Sequence, residues 1–270
     1  MEILIPKNTD QFDDFVHKDT TTFEELTTFD RNNLAPISVN NKFGLINRNG
    51  EVILPLEFDK LVLTTVNAYS ALKNNKWGLI TKSNQIIIPF EYELTSDFIE
   101  NLCAAKKDGK WGFIDLMNQI IIPFQYDGCT DFKAGLAGVE LNGKWGLIDK
   151  ENKLLIDYQY EYLTPVDQNF ITFGKATDLK VKRPDILAYF PYFLSKDNYL
   201  MNFGLISINN EVILEAISEL PILESFDNQP VIRKNYHLGY LKNGTEFVKF
   251  NQFEIDPYEE KILKQLGVMN

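Results

Sequence analysis

Carboxylates that return at one place in successive segments are the first candidates for chemistry in this 270-residue chain. They are Glu24, Asp59, Glu93, Asp127 and Glu161, with Glu219 as a less regular sixth. If the segments are related by rotation, these groups form a ring at one level, suited to a cation or a basic partner. The simpler expectation is that each accepts hydrogen bonds from a turn in its own or the adjacent segment, as Asp commonly does. A residue present in every unit more simply serves the unit.

Other chemistry finds little support. His17 and His237 are the only histidines, and neither has a Cys or His partner at ligand spacing. There is no HExxH, CxxC or EF-hand loop, so no metal is expected. No glycine-rich phosphate loop, dinucleotide fingerprint or G-x-S-x-G elbow occurs. Ser70 to Lys73, "SALK", matches S-x-x-K, but it lies on a strand leading to Trp77, and the match reads as coincidence. No catalytic residue and no cofactor are expected, and the chain reads as a non-enzyme. Cys103 occupies a small-residue slot and should be buried, whereas Cys129 lies in a turn and should be more exposed. Two cysteines make no disulfide framework, which points to a reducing compartment, the cytoplasm. "MEILIPKNTD" turns polar at once, so no signal segment is expected. No apolar run approaches the length of a membrane helix. The net charge of −11 opposes nucleic-acid binding and favours basic partners.

These residues sit within a repeat. Aromatic-Gly pairs stand at Phe43-Gly44, Trp77-Gly78, Trp111-Gly112 and Trp145-Gly146, each 34 residues after the last. Phe203-Gly204 follows after 58, and a decayed copy, Leu238-Gly239, after 35 more. A fixed period in this range signals a repeat architecture. Asn40-Asn41, Asn74-Asn75, Asp108-Gly109 and Asn142-Gly143 precede the pairs and tolerate positive φ, so they predict tight hairpins. After each pair come a second turn and an apolar run: Val52 to Leu54, Ile86 to Ile88, Ile120 to Ile122 and Leu154 to Ile156. Such runs read as buried strands, three of them stopped by Pro55, Pro89 and Pro123. The unit is therefore expected to be a meander of three short strands and an irregular segment. The Trp residues invite a sugar-stacking role, but their fixed place beside a glycine favours core packing.

The sequence aromatic-Gly-Leu-Ile, turn, Ile-rich strand with Pro, then aromatic-acidic resembles the WG-containing repeat of bacterial proteins, also called the KWG repeat. The match is strongest from Asp59 to Ile156 and weakens after Tyr160. The resemblance implies a β-strand repeat module, with no catalytic residues to carry over.

The expected architecture is all-β, a single domain over residues 1–270 of about six to seven three-stranded units. The repeat count favours a propeller-like ring, with an open β-solenoid-like stack as the alternative. Accessory helices are expected at 9–18 and 256–266 from their caps and apolar spacing. An insertion of 24 residues falls within about 175–200. It is basic where the chain is acidic, and it holds Arg183, Tyr189, Phe190, Tyr192 and Phe193. Insertions in repeat arrays often lie on a binding face, and aromatics with an Arg are hot-spot chemistry. These aromatics could equally fold back over the core. The leading reading is a protein-protein interaction scaffold with a basic partner; the alternative is a carbohydrate or small-ligand binding module.

Overall fold

A computed structural model describes residues 25–26, 29–30, 32–180, 199–218, 222, 225–226, 229–234, 237–242 and 246–249. The two expected helices lie outside the described residues, as do Glu24, Glu219 and the stretch from Arg183 to Phe193. The described residues form six antiparallel sheets of four strands each. In chain order, the first holds β1 (Glu25–Leu26), β2 (Leu34–Val39), β3 (Lys42–Asn47) and β4 (Val52–Phe58). The second holds β5 (Lys60–Leu63), β6 (Tyr69–Lys73), β7 (Lys76–Ile80) and β8 (Ile86–Tyr92). The third holds β9 (Leu94–Ile99), β10 (Leu102–Lys107), β11 (Lys110–Ile114) and β12 (Ile120–Tyr126). The fourth holds β13 (Gly128–Cys129), β14 (Leu136–Leu141), β15 (Lys144–Asp149) and β16 (Leu154–Tyr160). The fifth holds β17 (Tyr162–Pro165), β18 (Ile171–Lys180), β19 (Tyr199–Ile206) and β20 (Val212–Ser218). The last holds β21 (Ser225–Phe226), β22 (Gln229–Lys234), β23 (His237–Lys242) and β24 (Glu246–Lys249). The chain divides into two compact units, residues 1–125 and 126–270.

The sheets have four strands where the repeat suggested three. The segment expected to be irregular supplies the extra strand: β5, β9, β13 and β17. "KLVL", "LTSDFI", "GC" and "YLTP" share no residue pattern. Their pairing comes from the backbone, so no motif announces it.

The turns follow side-chain chemistry. Asn40-Asn41, Asn74-Asn75, Asp108-Gly109 and Asn142-Gly143 all have positive φ at both residues, closing two-residue hairpins as expected. The turn between the third and fourth strands is held by one side chain. Asp115 Oδ1 accepts from the N–H of Met117 at 2.9 Å and of Gln119 at 2.8 Å. Asn47, Thr81, Asp149 and Ser207 do the same in their sheets. This is the Asx or Ser/Thr turn, which mimics a backbone turn.

The aromatic-Gly pair is tied to a bulge in the fourth strand. Trp77 faces Tyr92 and Leu79 faces Ile88, so three residues of β8 span the place opposite Gly78. β3 against β4, β15 against β16 and β19 against β20 keep the same register. The bulge drives a carbonyl onto the glycine. A Cβ on Gly112 would lie 2.6 Å from Ile122 O, and one on Gly146 would lie 2.8 Å from Ile156 O. Only glycine fits under such a bulge.

Within each unit the core lies between successive sheets. Leu45, Leu54 and Phe58 of the first sheet pack with Leu61, Tyr69, Ala71 and Ile80 of the second. Leu79, Ile88 and Tyr92 of the second pack with Phe98, Cys103, Ala105 and Ile114 of the third. In the second unit, Leu147 and Ile156 pack with Leu163, Ile171, Phe173 and Ile206. A fully buried aliphatic contributes about 1.5–3 kcal/mol. One small sheet has too few, and the repeat supplies the missing face.

The apolar runs depart from expectation. Their third residues, Leu54, Ile88, Ile122 and Ile156, are buried, but the first residue of each is exposed, as are Ile53 and Ile121, while Ile87 and Leu155 are half-buried. Ile86 is 62% exposed and Ile120 56%. These strands lie last in the order of their four-stranded sheets.

Candidate functional site

Each of Asp59, Glu93, Asp127 and Glu161 is the single residue between the last strand of one sheet and the first of the next. Its backbone already engages the sheet that follows. Asp59 N–H donates to Leu72 O at 2.7 Å, Glu93 N–H to Lys106 O at 2.8 Å and Asp127 N–H to Glu140 O at 2.8 Å. Its carboxylate meets that sheet's hairpin turn. Asp127 Oδ2 accepts from Asn142 N–H at 2.7 Å, and Glu93 accepts from Gly109 N–H at 3.3 Å.

A lysine completes the junction. Lys42 Nζ lies 2.5 Å from Asp59, Lys76 Nζ 4.0 Å from Glu93 and Lys144 Nζ 2.7 Å from Glu161. Each lysine directly precedes the aromatic-Gly pair, at Phe43, Trp77 or Trp145. The Asp59 carboxyl is held below its ordinary pKa, chiefly by the hydrogen bond from Lys42. A second pair recurs in the first unit: Lys73 with Glu57 at 3.0 Å, and Lys107 with Glu91 at 2.8 Å. Lys107 also stands 5.7 Å from the centre of the Tyr92 ring. Its hydrogen bond pulls the Glu91 pKa down.

Tyrosines carry the third link. Tyr92 Oη donates to Asn118 Oδ1 at 2.6 Å, and Tyr126 Oη to Asn152 Oδ1 at 2.6 Å. Tyr160 donates to Asn210 in the same way. The acceptor asparagines are the left-handed residues of the third-to-fourth-strand turns, with φ of 61°, 62° and 64°. Asparagine thus tolerates the φ and also accepts the bond; glycine could do only the first. Burial pushes the Tyr92 hydroxyl up to about 12, with Glu91 adding to the effect.

Sequence reasoning missed these pairings, although their spacing was present. Tyr and Asn are 26 residues apart in two copies and 50 in the third, a difference equal to the 24-residue insertion. Lys and its acid are 17 apart. One unit alone shows neither relation; the superposed copies do.

Phe43, Gly44, Trp77, Gly78, Trp111, Gly112, Trp145, Gly146, Phe203 and Gly204 occupy one equivalent strand position. Trp77 and Trp145 are half-buried and pack against core clusters, Trp145 at 5.3 Å from Tyr162. Cys103 is buried and Cys129 half-exposed, and neither forms a disulfide. Cys129 belongs to a short strand, β13, rather than to a turn. Among the described residues, no group of three or more His, Cys, Asp or Glu could hold a metal. Among the described residues, no helix is long and apolar enough to cross a membrane.

Comparison with known proteins agrees with this geometry. No curated protein matched the chain. Among solved structures, a eukaryotic initiation factor is similar at a TM-score of 0.50 and 10% identity. That match covers 86% of this chain, which spans 66% of the factor's chain. The Neurospora crassa Pan2 WD40 domain has a TM-score of 0.39 and 11% identity, covering 82% of this chain and 76% of its own. Kluyveromyces lactis Hsv2p has a TM-score of 0.41 and 8% identity, covering 87% of this chain and 81% of its own. The model of the WG containing repeat matches residues 43–76, 77–111, 111–145 and 145–175. Over residues 43–175, in four tandem copies, the chain belongs to the WG-containing repeat family.

Proposed function

We propose that this chain is a non-enzymatic protein-interaction scaffold that favours a basic partner. The observation that carries the proposal is a division of labour among its residues. The recurring polar side chains hold sheets and turns together, while the last strand of each of the first five sheets displays aliphatic residues to solvent. Val52, Ile86, Ile120, Leu154 and Val212 are 37–62% exposed at equivalent places. Exposed aliphatics in a repeated arrangement suit contact with another macromolecule. The charge of −11 steers basic partners to such a surface.

In this reading the four-stranded sheets are blades of a propeller-like array. Arg183, Tyr189, Phe190, Tyr192 and Phe193 form a second contact region, on their composition alone. Two cysteines that form no disulfide suit a cytoplasmic setting. The test is quantitative affinity capture from the source cell at low and high salt, read by mass spectrometry. A basic protein retained at low salt and released at high salt is the expected result. Capture that never exceeds a charge-matched control protein overturns the proposal.

A further inference from the structure

β4, β8, β16 and β20 share one bulged register, and in β12 the Ile122 carbonyl approaches Gly112 in the same way, yet these strands differ at the fourth position. β4, β8 and β12 carry Pro55, Pro89 and Pro123 there, all exposed. Proline donates no backbone hydrogen bond and blunts an edge strand against pairing with another chain. In the second unit β16 carries Asp157 and β20 carries Glu215, also exposed. Since proline serves at this place in three sheets, the sheet itself does not need the amide N–H of residue 215. At β20 the blunting device is gone and a donor has taken its place.

Two further features separate β20 from β16, the other of these strands without proline, although β4 and β12, which carry proline, also expose adjacent aliphatics at Val52–Ile53 and Ile120–Ile121. Val212 is 56% exposed and Ile213 48%, so adjacent residues, which point to opposite faces of a strand, both offer aliphatic surface. β16 offers less, with Leu154 at 37% and Leu155 packed against the core. The exposed carboxylates of Glu211 and Glu215 bracket the pair, and neither meets a hydrogen-bond or ion-pair partner among the described residues.

We propose that the edge of β20, which pairs with no further strand among the described residues, docks an extended segment of a partner protein, in which Lys or Arg alternates with aliphatic residues. The segment would add as a fifth strand. Its backbone would pair with β20, its aliphatics would cover Val212 on one face, and its cations would meet Glu211 and Glu215 beside Ile213 on the other. This proposal rests on the interaction-scaffold reading and adds the place and the chemistry of the partner.

The test uses a fluorescent peptide of alternating Lys and Val, followed by anisotropy on the full chain. Glu215→Pro gives β20 the residue found in β4, β8 and β12, so the fold should tolerate it, and circular dichroism checks that. Removing one ladder donor and placing a ring at the edge should weaken binding by about tenfold or more. A peptide N-methylated at alternate residues, with the same charge, should bind no better than the Glu215→Pro variant binds the parent. Equal affinity of wild type and a folded Glu215→Pro variant, or of both peptides, overturns the β20 assignment. So does a wild-type protein that ignores the parent peptide. None of these outcomes touches the salt-dependent capture of a basic protein, on which the scaffold reading is judged separately.

Discussion

Lys144 Nζ lies 2.7 Å from Oε1 of Glu161, which stands 17 residues later at the junction of two sheets. The same relation joins Lys42 to Asp59 and Lys76 to Glu93. It supplies a reason for the lysine in the recurring Lys-aromatic-Gly triplet. The lysine faces the junction acid while its neighbour glycine accepts the bulge.

The pair is exposed, at 46% and 28% of the two side chains, so its contribution is modest. Lys144→Met should lower stability by no more than about 1 kcal/mol in urea denaturation at low ionic strength. At about 1 M salt the difference from wild type should shrink towards zero, because exposed charges are screened.

The glycine matters more. Gly112→Ala would force a Cβ to within 2.6 Å of Ile122 O and should cost about 1–3 kcal/mol through overpacking. Gly109 is a fitting control: its φ is +77°, but nothing lies within 4 Å of a Cβ there. Asn41 and Asn75 occupy the equivalent hairpin position with φ of 57° and 61°, so Gly109→Asn should leave the thermal midpoint nearly unchanged.

The Tyr92–Asn118 bond is testable by a double-mutant cycle. Tyr92→Phe should cost about 0.5–1.5 kcal/mol. Asn118→Gly keeps the left-handed φ but removes the acceptor. The two losses should not add, because either change breaks the same bond.

Stability should fall at both ends of the pH scale. Glu91 has a folded pKa below its ordinary value, mainly through Lys107, so its contribution is fully present above the unfolded pKa of about 4.3. It is lost as the pH falls through the lower, folded value, and Glu91→Gln should flatten that limb. Tyr92 and Tyr158 are both raised to about 12, first by burial. Each favours the fold below the unfolded tyrosine pKa of about 10, and that support is lost as the pH rises towards 12. Absorbance titration of tyrosinate should track unfolding there.

Hairpins and period were legible because they rest on local chemistry: paired positive φ at Asn74-Asn75, and a glycine 34 residues after another glycine. The burial of Cys103 was legible from its slot beside Ala35 and Ala137. The strand β5 was not, since "KLVL" has no counterpart motif in "YLTP", and a ladder asks only for backbone groups. Nor was the exposure of Ile86 and Ile120. An apolar run bounded by turns reads alike in a central strand and at an edge. The junction carboxylates were legible as a series; that lysines approach them depends on how strand ends meet, which spacing within one unit cannot express.

The most direct measurement compares three baits in affinity capture from the source cell: the wild type, Glu215→Pro, and a Lys144→Met/Glu161→Met variant. All three are first checked for folding by circular dichroism. If junction residues fasten and the β20 edge recognises, proteins held by the wild type stay on the junction variant and leave the Glu215→Pro variant. Proteins that leave the junction variant and stay on Glu215→Pro would contradict the account and return recognition to the acidic series.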